Sequence, residues 1–200
     1  REMVEAMNLI AGREISKSEK VLICDWLKIG VKDEFDVILG DHAYSNLLFS
    51  SWGRLSENLE RALKPGGSML QNFVVKFPKK TTIEDIVAAR RKDPGAFKDH
   101  IERWYYVYMA LTTDPRVYDG KTYTSRWGRY DEILAGMLKE GKITKEEFGD
   151  LYTGVDLNGG LPPKEVVESH LKKRFDVLSC EYSRERKVHS HYRTFFLRKE

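Results

Sequence analysis

The sequence predicts an α/β fold: a mostly parallel sheet with an antiparallel last strand, interrupted by a helical insertion. Three observations carry this. Phe35-Asp36-Val37-Ile38-Leu39-Gly40-Asp41-His42 is an apolar run of strand length ending in polar residues, and a helix-length segment leads from it to Leu63-Lys64-Pro65-Gly66-Gly67 and a second apolar run at 68–75. That is one βαβ unit. From Phe77 to about Leu161 the strand rhythm stops and helical spacings take over. Two strand-like runs then close the chain, at 175–182 and 192–198, and the polar linker between them is too short for a crossover helix. Those two strands must be antiparallel neighbours.

Each element has its own reason. Residues 2–11 read as a helix, with Met3, Met7 and Ile10 on one face, Val4 beside them and Gly12 as terminator. Residues 21–24 are a short apolar run ending in Asp25-Trp26, which reads as a buried strand. The strand at 35–40 follows. Residues 45–64 place Leu48, Trp52, Leu55, Leu59 and Leu63 at helical spacing, and Pro65-Gly66-Gly67 breaks the run. The strand at 69–75 has the unalternating pattern of a strand buried on both faces.

In the insertion, residues 82–91 carry Ile83, Ile86, Val87 and Arg90 at helical spacing, and Asp93-Pro94-Gly95 is a turn. A second helix at 98–112 carries Ile101, Trp104, Tyr105, Tyr108 and Leu111. A third spans 130–139 and ends at Gly141. Thr144-Lys145-Glu146-Glu147 matches a capping box and opens a fourth. Asn158-Gly159-Gly160-Leu161-Pro162-Pro163 reads as a loop without a buried strand, and Pro163 suits the first turn of a helix running to Lys173.

Composition narrows the class. The chain of 200 residues is 41% hydrophobic and 32% charged, ordinary for a globular domain. No apolar run has membrane-spanning length and no signal peptide is visible, so a cytoplasmic protein without a membrane partner is expected. A net charge of +3 with acids and bases interleaved argues against a nucleic-acid partner. Cys24 and Cys180 each fall in a strand pattern and are expected as buried, reduced thiols. His189 and His191 face one side at a strand start, but no Cys or carboxylate cluster completes a metal site, so no metal is expected. The first residue is Arg, which suggests a sequence that begins within a longer protein.

In open α/β sheets, ligands bind at the carboxyl ends of the strands. Asp25, Asp41 and His42 all sit at such ends. The order of Asp25-Trp26, Asp36-Val37-Ile38-Leu39-Gly40-Asp41-His42, Leu63-Lys64-Pro65-Gly66-Gly67, Phe175-Asp176-Val177-Leu178 and 192–198 resembles the carboxyl-terminal part of a class I S-adenosylmethionine (SAM) dependent methyltransferase. Arg1-Glu2-Met3-Val4-Glu5-Ala6 is similar to the helix that follows that family's second strand. The resemblance covers residues 1–76 and 163–200 and implies a Rossmann-like methyltransferase sheet truncated at its N-terminus. Residues 77–162 match nothing in it and are expected to form a helical lid over the acceptor site.

The resemblance implies SAM as cofactor. Asp25 would accept from the adenine amino group with Trp26 beside the ring, and Gly40 and Asp41 would line the donor side. Methyl transfer needs an aligned acceptor and exclusion of water. Asp41 would orient acceptor or cofactor, and His42 would be the base. Tyr44, Ser45 and Asn46 follow in reach of the same pocket. An aromatic lid carrying Trp104 and Tyr108 would select a flat or apolar small-molecule acceptor. The chain has no Gly-x-Gly-x-Gly, the motif that lets backbone approach the cofactor. A non-catalytic methyltransferase-like binding domain or subunit is therefore the second reading. A nucleotide-binding oxidoreductase of related topology is disfavoured by the antiparallel last strand. Oligomeric state stays open.

Overall fold

The computed structural model describes residues 24–182 and 192–200. The helix expected at 2–11, the family-like start at 1–6, most of the strand expected at 21–24, and His189 and His191 lie outside them. Cys24, the one described residue of that expected strand, is exposed and outside any strand, and Cys180 is half-buried, so neither thiol is the fully buried one expected.

A four-stranded sheet has the order β1 (Phe35–Asp41), β2 (Leu63–Val74), β7 (Tyr192–Arg198), β6 (Asp176–Glu181). β1 and β2 are parallel, with Ile38 opposite Met69 and Asp41 opposite Asn72. β7 lies antiparallel to β2 and to β6, with Phe73 opposite Arg193 and Cys180 opposite Phe195. The last two strands are antiparallel neighbours, as the short linker requires. The expectation of a mostly parallel sheet is corrected: of the described pairings, two are antiparallel and one parallel. The reason is position. A single reversed strand at an edge makes one antiparallel contact, whereas β7 is inserted between two others and makes two.

The βαβ unit forms with a shorter helix than its spacing predicts. α1 spans Trp52–Ala62 after a 3-10 turn at Phe49–Ser51. His42 has a left-handed φ of 55°, and the Trp52 indole donates to the Tyr44 carbonyl at 2.8 Å. The first turn of a helix begun at Ser45 is thus replaced by an aromatic anchor: Tyr44 is fully buried and bonds Ser56 Oγ at 2.8 Å. At the other end α1 stops at Ala62. The Pro-Gly-Gly turn bulges out of β2, because Phe35 pairs with Leu63 but Val37 already pairs with Ser68. Gly66 takes a φ of 73°, the left-handed conformation that glycine adopts without strain.

One face of the sheet is covered by α1 and by α6 (Lys164–Leu171), which follows Pro163. Trp52, Leu55 and Leu59 pack with Val167 and Leu171 onto Met69, Phe73, Phe195 and Leu197. Burying side chains of this size contributes roughly 1.5–3 kcal/mol each.

The insertion builds a second core. It comprises α2 (Ile83–Lys92), α3 (His100–Thr113), α4 (Trp127–Lys139) and α5 (Lys145–Leu151). Thr82 with Asp85, and Thr144 with Glu147, form reciprocal capping boxes. Ile83, Ile86, Val107, Leu111, Tyr130 and Leu134 are buried among these helices. The fully buried Asp114 accepts from the Ile83 amide at 3.0 Å and from Arg116 at 2.6 Å, so its charge is paired.

The expectation of no strand in this region is also corrected. β3 (Tyr118–Asp119), β4 (Thr124–Arg126) and β5 (Asn158–Gly160) form a three-stranded sheet. These strands are of two or three residues, too short for a periodicity to be read. Gly159 and Gly160 lie on the turn after β1: the Gly160 amide donates to the Leu47 carbonyl at 2.8 Å, and a Cβ on Gly159 would sit 2.3 Å from the Ser45 carbonyl oxygen. Among the described residues no helix is long and apolar enough to cross a membrane.

Candidate active site

β1 ends at Asp41 beside Asn72 of β2, and Asn72 in turn faces Thr194 of β7. The three polar side chains lie on one sheet face and are joined: Thr194 Oγ1 donates to Asn72 Oδ1 at 2.7 Å, and Asn72 Nδ2 donates to Asp41 Oδ1 at 3.2 Å. The amide thus passes its orientation from one strand to the next. The Asp41 carboxylate itself remains 77% exposed.

His42 follows in the left-handed conformation, which turns its ring back toward the sheet. Its Nε2 lies 3.3 Å from Asp41 Oδ1, and the ring meets the edge of Tyr192 at 5.1 Å. Burial lowers its pKa below the ordinary imidazole value, opposed by the Asp41 charge. The ring is therefore neutral at pH 7. With Nε2 turned to Asp41, Nδ1 is shielded and has no hydrogen-bond partner.

α3 closes the other side. Its N-terminal cap, Asp99, accepts from the amides of Ile101 and Glu102 and sets the helix start. This brings His100, Ile101 and Trp104 over the polar chain. The Trp104 indole donates to His100 Nε2 at 3.0 Å, which fixes the proton of that ring on Nδ1. The result is a cavity of about 530 Å³ lined by these three α3 residues together with Asp41, His42, Asn72, Tyr192 and Thr194. Burial, reinforced by the Asp41 charge, pushes the Tyr192 phenol up to about 12.

Among the residues singled out from the sequence, Asp41, His42 and Trp104 line this cavity. Tyr108 is the ring behind them, 5.7 Å from Trp104 and 6.2 Å from Tyr192. The others lie elsewhere. Asp25 caps the 3-10 turn Trp26–Lys28, its carboxylate accepting from the Leu27 amide at 2.9 Å, and the Trp26 carbonyl accepts from Asn58. Neither residue faces the cavity. Gly40 points to the opposite sheet face, where a Cβ would meet the Gln71 side chain at 2.0 Å. Tyr44 has no exposed surface for a substrate, and Asn46 is an exposed turn residue whose amide donates to the His42 carbonyl.

Asn72, His100, Ile101, Tyr192 and Thr194 were not legible as site residues. The available signal was Gln71-Asn72, two amides inside an otherwise apolar strand. Nothing in the sequence aligns Thr194 with them.

No protein-family model matches the chain, and no curated protein matches it. Solved structures do. A structure titled as a putative Zn-dependent alcohol dehydrogenase from Rhodobacter sphaeroides has a TM-score of 0.57 at 12% identity, covering 100% of this chain and 73% of that one. The PH0226 protein from Pyrococcus horikoshii OT3 has a TM-score of 0.54 at 10% identity, covering 100% of this chain and 66% of that one. A structure titled as SAM-dependent methyltransferases from Methanosarcina mazei has a TM-score of 0.51 at 10% identity, covering 99% of this chain and 77% of that one. This chain thus spans about two thirds to three quarters of their lengths. At such identities the likeness is one of fold. It places the chain in the Rossmann-like α/β fold that class I methyltransferases share. The activities named for these structures differ, so the likeness carries no activity over to this chain.

Proposed function

We propose that this chain carries the acceptor side of a SAM-dependent methyltransferase site that acts on a small, flat molecule bearing a hydroxyl or amine. The observation that supports it is the convergence, at the carboxyl end of β1, of the Asp41–Asn72–Thr194 chain and a neutral His42 beneath Trp104.

The cofactor fits only in part. Bound SAM supplies an electrophilic methyl group. The described residues offer Asp41 and Asn72 at the strand ends where its transfer end would lie, while Asp25 and Trp26 are engaged in their own turn and the chain has no Gly-x-Gly-x-Gly. The roles derived for these residues are accordingly on the acceptor. Trp104 and Tyr192 provide flat apolar walls that orient an aromatic ring and exclude water. His42, on the cavity wall, takes the proton that the acceptor loses. Asp41, hydrogen-bonded through Asn72, steadies the imidazolium so formed.

Incubation with SAM and a panel of flat phenols and arylamines, read by mass spectrometry for one added methyl group, tests this. Transfer is expected to at least one acceptor. His42→Gln is expected to lower its rate about a hundredfold or more, with Asp41→Asn causing a smaller loss. The wild-type rate is expected to hold at about pH 6.5 and to fall only as pH drops through the lowered His42 pKa, since protonation removes the base. A panel with no methylated product and no calorimetric heat on adding S-adenosylhomocysteine would overturn the enzyme reading.

The second reading, a non-catalytic binding domain of the same fold, draws on the missing glycine motif and the local engagement of Asp25. It predicts quenching of Trp104 fluorescence by a flat ligand without any turnover.

A further inference from the structure

We propose that a second cavity, on the opposite face of the sheet from Trp104, binds a phosphate group. It has a volume of about 390 Å³ and is walled by Lys76, Pro78, Pro163, Lys164, Glu165 and Arg193, with Val75 and Phe77 completing it. Three separate elements bring a cation to it. Lys76 leaves the end of β2, Lys164 opens α6, and Arg193 is the second residue of β7. Successive side chains of a strand point to opposite faces, so Arg193 stands on the side away from Tyr192 and Thr194. The phosphate cavity and the candidate active site are thus separate.

The cations are only partly compensated: Glu168, one turn along α6, interacts electrostatically with Lys164. Nε and Nη1 of Arg193 are shielded from solvent without a hydrogen-bond partner. The guanidinium lies 4.5 Å from the centre of the Tyr182 ring, a cation–π contact. Lys76 Nζ lies 5.3 Å from the centre of the Tyr118 ring. None of the three forms an ion pair among the described residues, and Glu165 is the one carboxylate in the wall. Three cations outnumber the one lining carboxylate, so the wall carries net positive charge suited to an oxyanion. A tetrahedral oxyanion in the cavity is held by the positive charge of a guanidinium and flanking ammonium groups together. The start of α6 adds to this: no side chain caps it, and its first amides carry partial positive charge.

The inference does not depend on methyl transfer. It is tested by calorimetric titration of inorganic phosphate into the full chain in chloride buffer at constant ionic strength, with acetate in parallel. Saturable phosphate binding is expected, tighter than acetate. Lys164→Gln and Arg193→Gln are each expected to weaken it about tenfold. Glu165→Gln, one residue along the same helix, is expected to tighten it. Should Arg193→Gln fail to fold, the opposed effects at positions 164 and 165 decide the matter on the helix surface. No saturable heat, wild-type affinity in Lys164→Gln, or acetate binding as tight as phosphate would each overturn the proposal.

Discussion

On one face of the four-stranded sheet, Met69, Phe73, Phe195 and Leu197 are at most 1% exposed. On the other, Val37, Leu39 and Phe196 keep 57%, 75% and 36% of their surface. The two faces come from alternate residues of the same strands. Phe73 is next to Asn72, and Phe195 is next to Thr194. The covered face has helices α1 and α6 to pack against and supplies the cohesion of the sheet. The other face has apolar side chains in its middle, Ser68 and Arg198 at one end, and Asp41, Asn72 and Thr194 at the carboxyl end of β1, where α3 arches over it. The difference teaches that cohesion and chemistry are divided by strand alternation. A core residue and a site residue can be adjacent in sequence without sharing a role.

The comparison is broken most directly by removing a ring from the covered face. Phe73→Ala is expected to cost about 3–5 kcal/mol, read from the urea midpoint. A loss below about 1 kcal/mol would mean that this face is not the one holding the sheet together. A smaller effect belongs to titration. Burial lowers the pKa of His42, next to the uncovered face, and of His170, which packs against Trp52 near the covered one. In both cases the unfolded chain takes up the proton first. Stability is therefore complete above about pH 6.5 and declines as pH falls through the lowered folded values. Thermal melts across that range should show the decline, and His42→Gln should make it shallower. A melt independent of pH below 6.5 in wild type would remove burial as the cause. The smallest effect is expected at Leu39: Leu39→Lys should change stability by no more than about 0.5 kcal/mol. A loss near that of Phe73→Ala would show that something covers the exposed face in solution.

Much of the fold was legible because it is locally encoded. The last strand has the bounds its pattern predicts, and Thr144 caps a helix as its neighbour Glu147 requires. The helix after β1 was read too long, since the spacing of Leu48 with Trp52 does not reveal that Tyr44 turns inward. The site was legible at Asp41, His42 and Trp104, where polar or aromatic residues interrupt a pattern. It was illegible at Thr194 and His100, which are unremarkable in their own segments.

By itself, the sequence determined the alternation of apolar and polar residues, the helix caps, the Pro-Gly-Gly break and the antiparallel pairing of the last two strands. These depend on residues a few positions apart, where backbone geometry and side-chain type suffice. Only the tertiary structure decided that β7 inserts between β2 and β6, that Thr194 meets Asn72, that Trp104 closes over Asp41, and that Lys76, Lys164 and Arg193 share one cavity. Those contacts join residues far apart in the chain. Their register follows from how two cores pack as wholes, which no local pattern records.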